Sequence, residues 1–279
     1  MYAKCRILIL NYLYNMNTCK NCSLTFEGKY CPACGEKVIE NKDFSLTHIF
    51  GQAIGMLTNL DSKLYNTLKL LFLRPGQLSL YNIQGIRVPY MNPIQIFLIS
   101  NVIFFIFLSD IDIFRTPSVW FFQEDFDGIK VMGHVRQIML EKNLTQENVA
   151  ILYDQISSNL AKSLLIFLIP LLAIPNMGLH QNKKYQAGKH IIFITHYLSF
   201  ILILLVFILQ LAMIFSTNKW SAIIPLLIVG SVYYIISNHR FYGERWYLSI
   251  AKGLIFLIIF VVITQIYKML VNVLTLYTM

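Results

Sequence analysis

Five long apolar blocks constrain this chain more than any other feature. A helix needs roughly 20 apolar residues to cross the hydrocarbon core of a bilayer, with about 17 at the short limit. Residues 93–109, 160–179, 191–215, 222–238 and 248–272 meet that demand. The 279-residue chain is 56% hydrophobic and 13% charged, whereas soluble domains carry about a quarter charged residues. A soluble fold of this length would not need the excess, so the expected class is an all-α integral membrane protein. It has about five transmembrane helices, interfacial helices before them and an outer loop at 110–158. Pro93 suits the first turn of the first span, and Pro170 and Pro175 should kink or break the second.

Basic residues orient the spans. Ten precede the first: Lys4, Arg6, Lys20, Lys29, Lys37, Lys42, Lys63, Lys69, Arg74 and Arg87. The 110–158 loop instead holds eight acidic residues against four basic ones. Lys183, Lys184 and Lys189 follow the second span, Lys219 alone the third, and Arg240 and Arg245 the fourth. This alternation predicts a cytoplasmic N-terminus and an outer C-terminus. Trp220 and Trp246 fall where aromatic belts form, and Lys252 and Lys268 can snorkel to opposite headgroup layers. The net charge of +9 is scattered over polar loops, so the lipid bilayer, not nucleic acid, is the expected partner.

Ahead of the spans, Cys19 and Cys22 form one Cys-x-x-Cys pair and Cys31 and Cys34 another. Each pair places two thiolates on a tight knuckle, and two knuckles complete a four-sulfur tetrahedron for zinc. Residues 16–40 are therefore expected to be a zinc ribbon with a structural Zn2+. Glu27-Gly28 offers a hairpin tip, and Phe26 and Tyr30 offer cover for a module too small for its own core. Thiolates at metal spacing point to a reducing compartment. No βαβ context supports a redox dithiol. Residues 1–15 resemble the start of a signal peptide without its cleavage site. Met16 is the expected start of translation, with 1–15 an upstream extension and Cys5 without a role.

Residues 41–92 read as amphipathic juxtamembrane helices. Ser45 caps one through about Leu57; Asp61 caps another through about Leu73, which Pro75-Gly76 ends. Leu64, Leu68 and Leu71 share a face. The stretch Leu73-Arg74-Pro75-Gly76-Gln77, with Tyr81, Gly85-Ile86-Arg87 and Tyr90-Met91-Asn92-Pro93, resembles an uncharacterised bacterial family of multi-spanning membrane proteins with an N-terminal zinc ribbon. The two cysteine pairs, Phe26-Glu27-Gly28-Lys29-Tyr30, Lys189-His190-Ile191-Ile192-Phe193 with His196, and Arg240-Phe241-Tyr242-Gly243 carry it further. Ser23 stands where the family usually has glycine, and Ile86 where it often has lysine. The resemblance implies a bacterial inner-membrane architecture and no activity, because the family is a domain of unknown function.

Within the spans His190, His196 and Gln210 are candidates for an intramembrane polar site, since ionisable groups there are costly. His190 and His196 lie about 120° apart around a helix, so they are not a two-histidine ligand pair. Asn101, Gln210 and Gln265 can bond between helices. Asp110 and Asp112 flank the first span as solvated charges. No nucleophile–base order, phosphate loop or His-Glu-x-x-His motif appears. The expected function is thus a non-enzymatic adaptor or scaffold whose zinc ribbon docks a protein partner. A small-solute or lipid transporter with a pocket around His196 is the alternative, and a membrane-embedded enzyme the third.

Overall fold

The computed structural model describes residues 16–19, 22–28, 30–34, 62–108, 113–123, 131–181, 185–215 and 223–279. The chain forms two compact units, 1–61 and 62–279. The expected extension 1–15 and the Ser45–Leu57 helix lie outside the described residues, as do Asp110, Asp112 and Trp220.

In the first unit β1 (Met16–Thr18) pairs antiparallel with β2 (Thr25–Glu27), Asn17 opposite Phe26. The turn between them is the first cysteine knuckle. Ser23 N–H donates to the Cys19 carbonyl, and Cys19 N–H to the Leu24 carbonyl, both at 2.9 Å. The expected tip at Glu27-Gly28 lies instead at the end of β2, where Glu27 is the last strand residue and Gly28 takes φ +111°. Metal-ligand spacing, not the glycine, sets where this hairpin turns. Ser23 there has φ +60°, a left-handed conformation that costs a side-chain-bearing residue about 1–2 kcal/mol.

The second unit is helical. Helix α1 covers 62–73, and α2 (Gln77–Ile83) follows a sharp turn at Pro75-Gly76. That turn requires glycine: φ is +78°, and a Cβ on Gly76 would lie 2.6 Å from the Ser237 carbonyl oxygen. Helix α3 (Pro93–Phe107) starts with a capping box. Asn92 accepts from the Ile94 N–H and gives its own N–H to Gln95, satisfying donors the first turn leaves bare.

Beyond α3 come α4 (Ser118–Phe121), α5 (Val131–Lys142) and α6 (Gln146–Leu164). Thr145 caps α6, receiving the Asn148 N–H, and α6 leads into the second apolar block. A 3-10 turn, Leu165–Phe167, separates α6 from α7 (Leu168–Leu179). Pro170 explains the break, because its ring crowds the carbonyl four residues back, on Ile166. Helix α8 (Ala187–Ile214) is the axis of the bundle, packed against α3, α7 and α9 (Ile223–Tyr242), while α10 (Trp246–Thr278) packs on α9, α6 and α7.

Three stretches are long and apolar enough to cross a membrane: Gln146–Leu179, Ala187–Ile214 and Trp246–Thr278. The two other expected spans differ for physical reasons. Helix α3 has 15 residues, about 22 Å at helical rise, short of a hydrocarbon core about 30 Å thick. Helix α9 has 20 residues, but its last turns, Ser237-Asn238-His239-Arg240, are polar. The apolar window of α8 is 67% buried and that of α10 17%. The first packs against protein on most sides, while α10 exposes Leu254, Ile258, Val262, Leu270 and Leu274.

The 62–92 collar packs at the end of the bundle where α7 joins α8 and α9 joins α10, called here the near end. Phe72 meets Phe200 and Arg240 donates to the Pro75 carbonyl. At the far end Phe121 and Phe122 pack on Tyr153 with Val131, Val135, Val149 and Leu276. Residues 113–123 and α5 therefore build a small core with the ends of α6 and α10. Of the aromatic trio at 120–122, Trp120 alone stays exposed.

Candidate functional site

The four cysteines of the first unit converge. Their sulfurs all lie within 4.8 Å of one another, with Cys19–Cys34 at 3.4 Å and Cys22–Cys31 at 3.5 Å. A metal holding four thiolates at about 2.3 Å in a tetrahedron spaces them by about 3.8 Å, so the cluster fits a metal ion. Cys19 and Cys31 are buried with Phe26, which covers the sulfurs as expected, whereas Tyr30 stays exposed. The Leu24 N–H favours the Cys22 thiolate, but hydrogen bonding with Cys31, loss of water and the Cys19 and Cys34 sulfurs push the thiol up to about 12. Sulfurs this crowded do not ionise together without a cation among them, and a bound dication meets that demand.

A second constellation lies at the near end of the bundle. His180, the cap of α7, donates from Nδ1 to the Asn176 carbonyl at 2.8 Å, and its Nε2 meets Asn238 Oδ1 at 2.8 Å. The ring stacks on Tyr242 with centroids 3.8 Å apart. Tyr242 hydroxyl donates to His190 Nδ1 at 2.7 Å and receives Asn176 Nδ2 at 2.8 Å, while Tyr234 donates to Asn176 Oδ1 at 2.6 Å. In the turn between α9 and α10, Glu244 Oε1 receives Lys252 Nζ at 2.5 Å, and Oε2 lies 4.0 Å from His180 Nε2. Burial holds His180 below the ordinary histidine value; the Asn176 carbonyl pulls upward, Lys252 adds to the drop, and Asn238 and Glu244 oppose it.

The structure separates the three span residues proposed as one polar site. His190 belongs to the near-end cluster. His196 sits elsewhere, its Nδ1 2.8 Å from the Ser79 hydroxyl of α2, so it faces the collar. Gln210 donates to the Phe107 carbonyl at 3.1 Å, satisfying the C-terminus of α3. Fourteen residues along α8 put Gln210 about 21 Å from His196. Lys252, expected to snorkel, is held by Glu244 instead.

Sequence reading missed His180, Asn176, Asn238, Tyr242 and Glu244. A signal was there: Glu244 is the sole acidic residue after Asp154, between two arginines and eight residues before Lys252. An acid so isolated in an apolar half implies a partner. Also missed was the far-end cluster. Asp154 receives Arg115 at 2.5 Å, the Ser118 N–H at 3.0 Å and the Ser118 hydroxyl at 2.7 Å. Asn272 receives the Thr116 N–H at 3.0 Å and donates to the Thr116 hydroxyl at 2.8 Å.

Compared with protein families, residues 61–105 match the family described as Protein of unknown function (DUF3667). The matched stretch is the collar and nearly all of α3, the part seated against α8 and α9. Comparison with curated proteins gives no match, and neither does comparison with solved structures.

Proposed function

We propose that this is a multi-pass protein of the bacterial inner membrane and a non-enzymatic adaptor, whose cytoplasmic zinc ribbon docks a protein partner. The closed cysteine cluster carries the reading. All four corners of the tetrahedron come from protein, so no position remains for water or substrate, and the metal shapes a surface. Zinc is the metal that four thiolates in a small knuckle module suit best. The basic residues gathered before the first apolar block support a cytoplasmic N-terminus. Five crossings are supported by chain direction: α3 runs alongside α8 in the same sense, from the collar at His196 to Phe107 at Gln210. In this topology α3 and α9 complete the spans with help from their neighbours, the bilayer thinning locally around the shorter helix.

The test is in-membrane crosslinking with capture of the full-length chain, wild type against Cys31→Ser, with metal measured on both. The expected result is one zinc per wild-type chain and loss of specific crosslinked proteins in the variant, while the membrane unit keeps its far-UV helical signal. Iron in place of zinc would remove the metal assignment. An unchanged crosslinked set after metal loss would remove the docking role.

A further inference from the structure

The near-end cluster sets a lone pair of His180 against an oxygen, a clash that two arrangements can remove. The Asn176 carbonyl cannot donate, so His180 Nδ1 carries a hydrogen. A neutral imidazole has one N–H, which leaves Nε2 as a bare lone pair. Yet Nε2 faces two oxygens, Asn238 Oδ1 at 2.8 Å and Glu244 Oε2 at 4.0 Å. Two arrangements remove the clash. In one, Nε2 is protonated and the imidazolium donates to Asn238 beside the Glu244 carboxylate. In the other, the ring is neutral and the Asn238 amide is turned end for end, so that Nδ2 donates to Nε2.

Two further atoms mark the spot. Asn238 Nδ2 and Glu244 Oε2 are buried without a hydrogen-bond partner among the described residues. Asn238 is 0% exposed and the Glu244 side chain 5%. Buried polar atoms in native proteins are nearly always paired, and leaving one unpaired costs about 1–3 kcal/mol. A second state of the same groups is a physical reason for keeping them.

We propose that His180, Asn238 and Glu244 form a proton-binding site in which the arriving proton turns the Asn238 amide. The proton comes from water and bonds to the Nε2 lone pair; no other bond is made or broken. Every neighbouring element contributes to its field. Helix α7 supplies the Asn176 carbonyl, and α8 the His190 ring with its centroid 6.3 Å away. Helix α9 supplies Asn238 and the stacked Tyr242, the following turn Glu244, and α10 Lys252. Glu244 and Lys252 offset one another, so the bound proton adds one net positive charge to the cluster. Burial and Lys252 oppose that charge and Glu244 draws it in, which poises the site to fill on acidification. The inference stands apart from the docking role of the cysteine module.

The test is solid-state 15N NMR of the full-length protein, labelled at histidine and held in lipid bilayers, between pH 5 and 8. His180→Gln identifies the resonance. The expected result is a neutral, Nδ1-protonated ring at pH 8 that becomes imidazolium on acidification. Glu244→Gln should lower the midpoint by on the order of one pH unit, a tenfold weaker hold on the proton, because an opposite charge within 4–6 Å is worth about that much. Asn238→Asp should raise it by a similar amount, and this variant carries the test if Glu244→Gln fails to fold. A single protonation state across the range in both wild type and Asn238→Asp would overturn the proposal. So would a neutral ring protonated at Nε2, or a midpoint that neither substitution moves.

Discussion

Asn272 and Asn238 are equally buried, at opposite ends of one bundle, and they are used differently. At the far end Asn272 exchanges two hydrogen bonds with Thr116, and neighbouring Asp154 accepts three more from Arg115 and Ser118. At the near end Asn238 meets His180 through one atom and leaves the other without a partner among the described residues, as Glu244 does. A saturated cluster has one low-energy arrangement, so it holds the 113–118 segment to α6 and α10 as a latch. An unsaturated one has alternatives of similar energy. The contrast separates polar groups kept for stability from polar groups kept for a change of state.

The largest effect should come from breaking the latch. Asp154→Ala removes three accepted hydrogen bonds and the carboxylate facing Arg115, whose side chain is 13% exposed. The expected loss is about 3 kcal/mol, read by detergent-driven unfolding in mixed micelles. A loss no greater than that of an exposed control such as Glu147→Ala would show that the latch holds nothing. Replacing the near-end ion pair as a unit, Glu244→Gln with Lys252→Met, should leave stability within about 1 kcal/mol of wild type, because removing both partners leaves no buried charge unpaired. A loss matching Asp154→Ala would erase the distinction between the two ends. The subtlest effect is on pH. His180 is held below the ordinary value of 6.5, so as pH falls below 6.5 the unfolded chain binds the proton first. Its contribution is therefore full above that value and is lost on acidification. His180→Gln should flatten the slope of stability against pH between 5 and 7, and an unchanged slope would place the titrating group elsewhere.

The cysteine cluster and the main apolar blocks were legible because each depends on local pattern: ligand spacing, block length and proline position. Pro170 announced the break between α6 and α7 for the same reason. What the sequence concealed is relational. His196 looked like a pocket residue until α2 was seen to fold back and offer Ser79. Gln210 looked like a candidate ligand until the end of α3 needed its donor. Lys252 looked like a snorkelling residue, because nothing local says that Glu244, beyond a turn, points at it. Helix α3 read as a span from its apolar block, but Leu108 leaves the helix at φ −132° and ends it early. Ser23 shows the reverse limit, since its positive φ appears only once the knuckle is drawn.

The most direct measurement of the contrast is a matched pair of substitutions, Asn272→Leu and Asn238→Leu, unfolded under identical conditions. Both remove a buried amide of the same size and introduce an isosteric apolar group. Asn272→Leu strands the Thr116 N–H and should cost about 2 kcal/mol, whereas Asn238→Leu removes one bond together with an unpartnered donor and should cost about 1 kcal/mol or less. A clear gap in that order is the result expected here. Equal losses, or a larger loss for Asn238→Leu, would contradict it and make the near end a second latch.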